Sequence, residues 1–305
     1  MKFKKMSTVI ATSIIVMCSQ IAWGAIIGVS TPTDANSIVR YSFEENGEAD
    51  SSAFVFDSAP AGAHNGHAYN GVDRNPPDTV LVDVPGVNGT SGVRFVAVPP
   101  GAPANYRATI TPFNIPTTSY AGGDMTHEMW VTGISNTQLA GRDANFGAYL
   151  FGQGRLGEDW ALSLNQNGSF QLRYNRSGSG GGEQVGTIGD ELTWDDSTWY
   201  YIALVADGAG QAVGVSEYSI YRGSKAPASN TGGGLVGSFI GPSIATDGDS
   251  YYIGSGASPG AAARVLGFDA DESHFSNVAK SIPEPSVAAL LLLGGAGMLL
   301  RRRAR

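Results

Sequence analysis

The chain has 305 residues, including 42 glycines, one cysteine, 19 basic and 27 acidic residues, for a net charge of −8. That charge disfavours nucleic acid and anionic lipid as partners, and one cysteine allows neither an internal disulfide nor a thiolate metal cluster. In chain order, Lys2, Lys4 and Lys5 precede an apolar run that reaches Trp23. Ala22 and Gly24 supply the small residues of a cleavage site before Ala25, so residues 1–24 read as a signal peptide, handled by the secretory translocon and signal peptidase. Cys18 lies inside this leader, so no thiol is expected in the mature protein.

Residues 25–37 read as a lead-in, and residues 38–281 as one domain large enough to stand on a hydrophobic core. No helical periodicity outside the termini exceeds about two turns, and glycine turns recur, so many short strands are expected. Ile38, Tyr41 and Phe43 begin the first. The stretch from Asp57 to Gly71 is polar and glycine-rich, with His64 and His67 read as solvated loop histidines. Residues 92–98 alternate as a second strand, and the prolines at 99–103, 112 and 116 predict long edge loops. Core strands follow at 125–134, 149–152 and 159–164, then a hairpin loop at 165–168 in which Gly168 takes positive φ. Phe170, Leu172 and Tyr174 alternate with Gln171 and Arg173 as a half-buried strand. Residues 198–205 are apolar on both faces, which predicts a central strand of a two-layer stack, paired with residues 213–222 across a turn at 207–210. Trp130, Trp160 and Trp199 fit strand patterns and read as core, whereas Trp194, beside Asp195 and Asp196, reads as exposed. Residues 251–254 and 265–275 close the domain.

The remaining segment, 282–305, contains Pro283-Glu284-Pro285, an uncharged run from Ser286 to Leu300, and then Arg301, Arg302, Arg303 and Arg305. As a helix the uncharged run would span roughly 22 Å, short of the ~30 Å hydrocarbon core, with its arginines held on the cytoplasmic side. The two prolines keep the preceding chain extended, within reach of a processing enzyme. These three parts, in this order, resemble the PEP-CTERM sorting signal of Gram-negative bacteria. The resemblance implies export across the inner membrane, transient membrane anchoring and recognition by an exosortase. It also implies cleavage near the triplet and delivery to the cell surface or an exopolysaccharide matrix. Processing at both ends would leave 12 basic against 27 acidic residues, a net charge of −15.

Three stretches of the domain carry a second likeness. They are Thr126-His127-Glu128-Met129-Trp130-Val131, the run from Thr198 to Gly208, and Ile253-Gly254 followed by Gly267-Phe268-Asp269-Ala270-Asp271-Glu272. In order and spacing they resemble the LamG-like, concanavalin A-like family. The family implies an all-β, two-sheet antiparallel jelly-roll sandwich. Asp269 departs from the family pattern, where a glycine is usual, and so do Ser273 and His274, where an apolar and a basic residue are usual. The family also implies a calcium site at a sheet edge, whose ligand positions match Asp57 and Asp271 here. Calcium needs several loop oxygens, and backbone carbonyls would complete the shell.

Catalytic patterns fare poorly. Gly256-Ala257-Ser258-Pro259-Gly260 has the spacing of a nucleophile elbow, but Pro259 lacks the N–H that an oxyanion hole needs at that position. Glucanases of this fold place Glu-x-Asp-x-x-Glu on one strand, with the paired carboxylates about 5–5.5 Å apart. Glu158-Asp159 and Asp269-x-Asp271-Glu272 are the nearest approach to it. The expected protein is therefore a non-catalytic, surface-delivered jelly roll that binds extracellular polysaccharide. The alternatives are a purely structural envelope or biofilm-matrix protein, and a glycoside hydrolase of the same fold.

Overall fold

The structure, a computed structural model, describes residues 34–43, 54–55, 58–59, 66–71, 82–87, 89–95, 107–112, 124–142, 144–153, 159–175, 184–226, 229–244, 251–254, 266–280 and 282. They form sixteen strands and one short helix. In order these are β1 (Ser37–Tyr41), β2 (Phe54–Val55), β3 (Gly66–Gly71), β4 (Val82–Pro85), β5 (Ser91–Phe95), β6 (Arg107–Pro112) and β7 (Met125–Thr132), then helix α1 (Asn136–Ala140). There follow β8 (Ala148–Gln153), β9 (Trp160–Leu164), β10 (Phe170–Tyr174), β11 (Gln184–Ile188) and β12 (Trp199–Asp207). The last are β13 (Val215–Ala226), β14 (Ser229–Pro242), β15 (Tyr251–Gly254) and β16 (Phe268–Ser276). The first sheet runs β14-β13-β12-β7-β16-β5-β4, with β1 on β16, and the second runs β11-β10-β9-β8-β15-β6-β3-β2. Every pairing is antiparallel, which makes the domain a two-sheet β-sandwich.

The sequence pattern accounts for the centre of the first sheet. β12 is flanked by β7 and β13. Its Tyr200, Ile202, Leu204 and Ala206 belong to the main core between the sheets. Its Tyr201 and Ala203 join Trp130 and Val87 in a second cluster on the opposite face, against which Trp199, Tyr221 and Ile282 pack. A strand with apolar residues on both faces must be covered on both, and here it is. Ile282 supplies part of the outer cover, and the chain just before it is bonded to β7. The Lys280 N–H donates to Thr126 Oγ1 (2.8 Å), Thr126 Oγ1 donates to the Val278 carbonyl (2.8 Å), and Lys280 Nζ lies 3.6 Å from Asp34 Oδ2.

β16 contains a bulge at which register slips between Asp271 and His274, with Glu272 at φ 45°. The slip changes which side chains face where. Asp271 pairs with Trp130 and His274 with Glu128, so both lie on the outer face, while Ser273 turns inward to His127.

Three expectations are corrected. The stretch read as loop includes β3, which carries His67 and lies between β2 and β6. The proline-rich region includes β6, an interior strand between β15 and β3 that ends at Pro112. Trp194 is 3% exposed, because Gly168, Asn136, Phe170, Tyr200 and Arg222 enclose it.

Candidate functional site

The β9–β10 hairpin begins the site. The Gly168 N–H donates to the Asn165 carbonyl (2.9 Å), and Gly168 sits at φ 85°, a conformation glycine adopts without a Cβ penalty. Its carbonyl accepts a 2.8 Å bond from Trp194 Nε1. From the other side Asn136, at the start of α1, accepts from the Trp194 N–H (2.6 Å) and donates to the Leu192 carbonyl (2.9 Å). Ser135 caps that helix, with Gln138 returning the bond, so Asn136 is fixed in place. The segment after β11 is thereby held by a hairpin and a helix, and it has no strand of its own.

Trp194 packs edge-on against Phe170 (5.7 Å) and Tyr200 (4.7 Å). Above it lies the Arg222 guanidinium of β13, 4.2 Å from the Trp194 ring centroid and 4.3 Å from that of Tyr200. Arg222 Nη2 donates to the Thr193 carbonyl, and Nε is buried with no acceptor among the described residues. Burial lowers the Arg222 pKa below the ordinary arginine value, and Tyr200 opposes that shift. Between this segment and strands β12 to β14 runs an open groove of about 730 Å³. Asp190, Thr193, Asp195, Tyr200, Arg222 and Ser224 line it, and the far wall is Gly234 to Val236 of β14. Asp195 is exposed, and its carboxyl is held below the usual range by hydrogen bonds from the Ser197 hydroxyl (2.6 Å) and N–H (2.8 Å). The groove combines polar hydrogen-bonding groups, two carboxylates and a cation fixed on two buried aromatic rings.

A second polar cluster lies on the outer face of the first sheet. Glu128 Oε1 is 2.9 Å from His274 Nδ1, whose Nε2 lies 2.8 Å from Ser37 Oγ, while the Tyr201 hydroxyl donates to Glu128 Oε2. Burial, then the Glu128 charge, raises the Tyr201 pKa well above 10. The residue types match a serine–histidine–glutamate relay, but Ser37, Glu128 and His274 are each 1% exposed. The cluster joins β1, β7, β12 and β16 and offers a substrate no entry. His127, on the inner face, is buried among Phe151, Trp160 and Phe275, and burial holds its ring well below the ordinary histidine range.

Of the two expected calcium ligands, Asp271 lies among the described residues. Its Oδ2 accepts from the Val87 N–H (2.9 Å) and Thr90 Oγ1 (2.6 Å), which fastens the β4–β5 turn to β16. Its Oδ1 is buried with no partner among the described residues. That leaves one carboxylate oxygen for a cation that takes six to eight, and no three His, Cys, Asp or Glu side chains converge among the described residues. Asp269 is paired with Arg94 (2.7 and 2.9 Å), so it and Asp271 are engaged with different partners. Asp57, His64, Glu158, Gly256 to Gly260, Ala22, Gly24, Ala25, Pro283, Glu284, Pro285 and Arg301 to Arg303 lie outside the described residues. Sequence reading missed the groove altogether. The one signal available was Arg222, a cation within an otherwise uncharged stretch of β13 from Ser219 to Ser224.

No family model matches the chain, and no curated protein matches it. Among solved structures it is similar to the binding domain of Paraclostridial Mosquitocidal Protein 1, at 11% identity and a TM-score of 0.45, covering 83% of this chain and 52% of that one. It is also similar to the Botulinum Neurotoxin Type G Receptor Binding Domain, at 12% identity and a TM-score of 0.43, covering 85% and 52%. A third is endo-beta-1,4-glucuronan lyase from the fungus Trichoderma reesei, at 13% identity and a TM-score of 0.43, covering 71% and 97%. The chain spans about half the length of the two toxin domains. Likenesses of this size carry no functional argument.

Proposed function

We propose that the protein is a non-catalytic glycan-binding β-sandwich, exported by its leader, sorted by an exosortase through the segment 282–305, and delivered to the cell surface or its polysaccharide matrix. The sorting part rests on Pro283-Glu284-Pro285 and the arginine cluster beginning at Arg301. The binding part rests on one observation, the open groove of about 730 Å³ walled by β12 to β14 and floored by an arginine held over Trp194 and Tyr200. A sugar polymer needs an open channel, hydrogen-bonding groups at its sides and a rigid base, and the groove supplies all three. Calcium enters the proposal through Asp271 and Asp57, as a dependence to be measured.

A glycan array probed with the purified protein, with calcium and with chelator, tests this. Binding to one class of polysaccharide, abolished by Gly234→Trp, is the expected result. Gly234 faces Arg222 across the β13–β14 pairing, and a Cβ there meets no atom within 4 Å, so the new side chain fills the groove without displacing the fold. A silent array, or binding unchanged by that substitution, would overturn the assignment.

A further inference from the structure

We infer that the glycan taken by this groove is anionic, and that Arg222 receives a carboxylate of a uronic acid. The inference rests on reading the groove as a glycan site and adds the chemistry of its ligand.

Arg222 has an incomplete set of partners. Among the described residues no carboxylate pairs with it: Asp195 is engaged by Ser197, and the groups that meet the guanidinium, the Thr193 carbonyl and Tyr200, are neutral. Nε has no acceptor among those residues. A partly desolvated cation without a counter-charge costs free energy, and a ligand carboxylate would remove that cost. Arginine rather than lysine suits the task, because its planar fork matches a carboxylate through two parallel hydrogen bonds.

The guanidinium is also held in position. Two aromatic faces and the Thr193 carbonyl fix it, so little side-chain entropy is lost on binding. Trp194 is itself held by Gly168 and Asn136, which carries the positioning back into the sandwich. The protein as a whole is acidic, at −8 for the full chain, so generic attraction of an anion to its surface is unfavourable. Recognition must therefore be local and directional. The exposed Asp190 and Asp195 at the groove sides suit hydroxyl donors and repel a second anion. A sugar ring with its carboxylate on the guanidinium and its hydroxyls along the sides satisfies both requirements.

The experiment compares short oligomers of galacturonate, glucuronate and mannuronate, each as free acid and as methyl ester, titrated into the full-length protein by calorimetry. The ester keeps the ring and linkage and removes the charge. The expected result is a preference of roughly tenfold or more for at least one free acid over its ester, weakening as salt rises. Arg222→Gln should abolish that preference, and Arg222→Lys should keep part of it, with thermal midpoints recorded for each. Equal binding of acid and ester by the unaltered protein overturns the inference while leaving the glycan assignment standing. So does a preference that survives Arg222→Gln. Binding of neutral oligosaccharides alone has the same meaning. No binding of any sugar, charged or neutral, overturns the underlying assignment as well.

Discussion

Asp271 has a carboxyl at 0% exposure, raised to about 6 chiefly by burial, against the pull of hydrogen bonds from Thr90 and Val87. The unfolded chain titrates this group near 3.8, so between those two pH values the folded state holds more protons. Stability from Asp271 is therefore complete below about pH 4 and is lost as pH rises through 6. Asn at this position could still accept both hydrogen bonds but carries no charge. Urea unfolding at pH 4 and pH 7 should show Asp271→Asn removing on the order of 2–3 kcal/mol of pH dependence. Parallel profiles for the two proteins would show that the carboxyl is not perturbed.

Two carboxylate contacts at the same scale differ in their surroundings. Glu128 and His274 are both buried, and removing the carboxylate strands the Tyr201 hydroxyl and a histidine ring nitrogen. Glu128→Ala should cost about 3 kcal/mol in chemical unfolding. Arg94, which is 52% exposed, pairs with Asp269 at the surface, and Arg94→Ala should cost less than about 1 kcal/mol. Comparable losses for the two would mean that burial does not set the value of these contacts.

The elements differ in how far the sequence disclosed them. β12 was legible because eight consecutive residues, Trp199 to Ala206, are apolar on both faces, a pattern only a covered central strand tolerates. Gly168 was legible because Asn-Gly ends a hairpin loop, and it does adopt positive φ. β14 was not, because Gly232, Gly233, Gly234 and Gly237 break any alternation, and the strand is held by its long pairing with β13. β3 was hidden for the same reason, its residues being Gly-His-Ala-Tyr-Asn-Gly. Trp194 failed as an exposed residue because its burial depends on Gly168, Asn136 and Arg222, all distant in sequence. The groove shared that fate, since its walls come from a connecting segment and an edge strand without periodicity.

One element connects hairpin and groove. A Cβ at Gly168 would collide with the Leu192 carbonyl and lie 2.9 Å from the Trp194 ring, in a backbone conformation that already disfavours alanine. Gly168→Ala should lower stability by about 1–3 kcal/mol and weaken glycan binding together, since the same contact positions Trp194 under Arg222. Thermal unfolding and calorimetry on one variant check both halves. Loss of stability with unchanged binding would uncouple the hairpin from the site.

For the whole molecule, the end of the domain is part of its packing. Ile282 lies against the outer cluster of Trp130 and Tyr201, directly before Pro283. In the proposed sorting, the triplet follows directly in sequence on a residue packed against the sandwich. A chain ended after Asn277 loses the Thr126 bonds, the Lys280–Asp34 contact and the Ile282 packing. It should unfold at lower denaturant than a chain ended after Ile282, by about 2–4 kcal/mol.

The most direct test of the account is the affinity of one array-positive polysaccharide for the unaltered protein and for Gly234→Trp, measured by calorimetry at matched thermal midpoints. Binding by the first and none by the second is the expected result. Equal affinities would place the ligand elsewhere on the sandwich and contradict it.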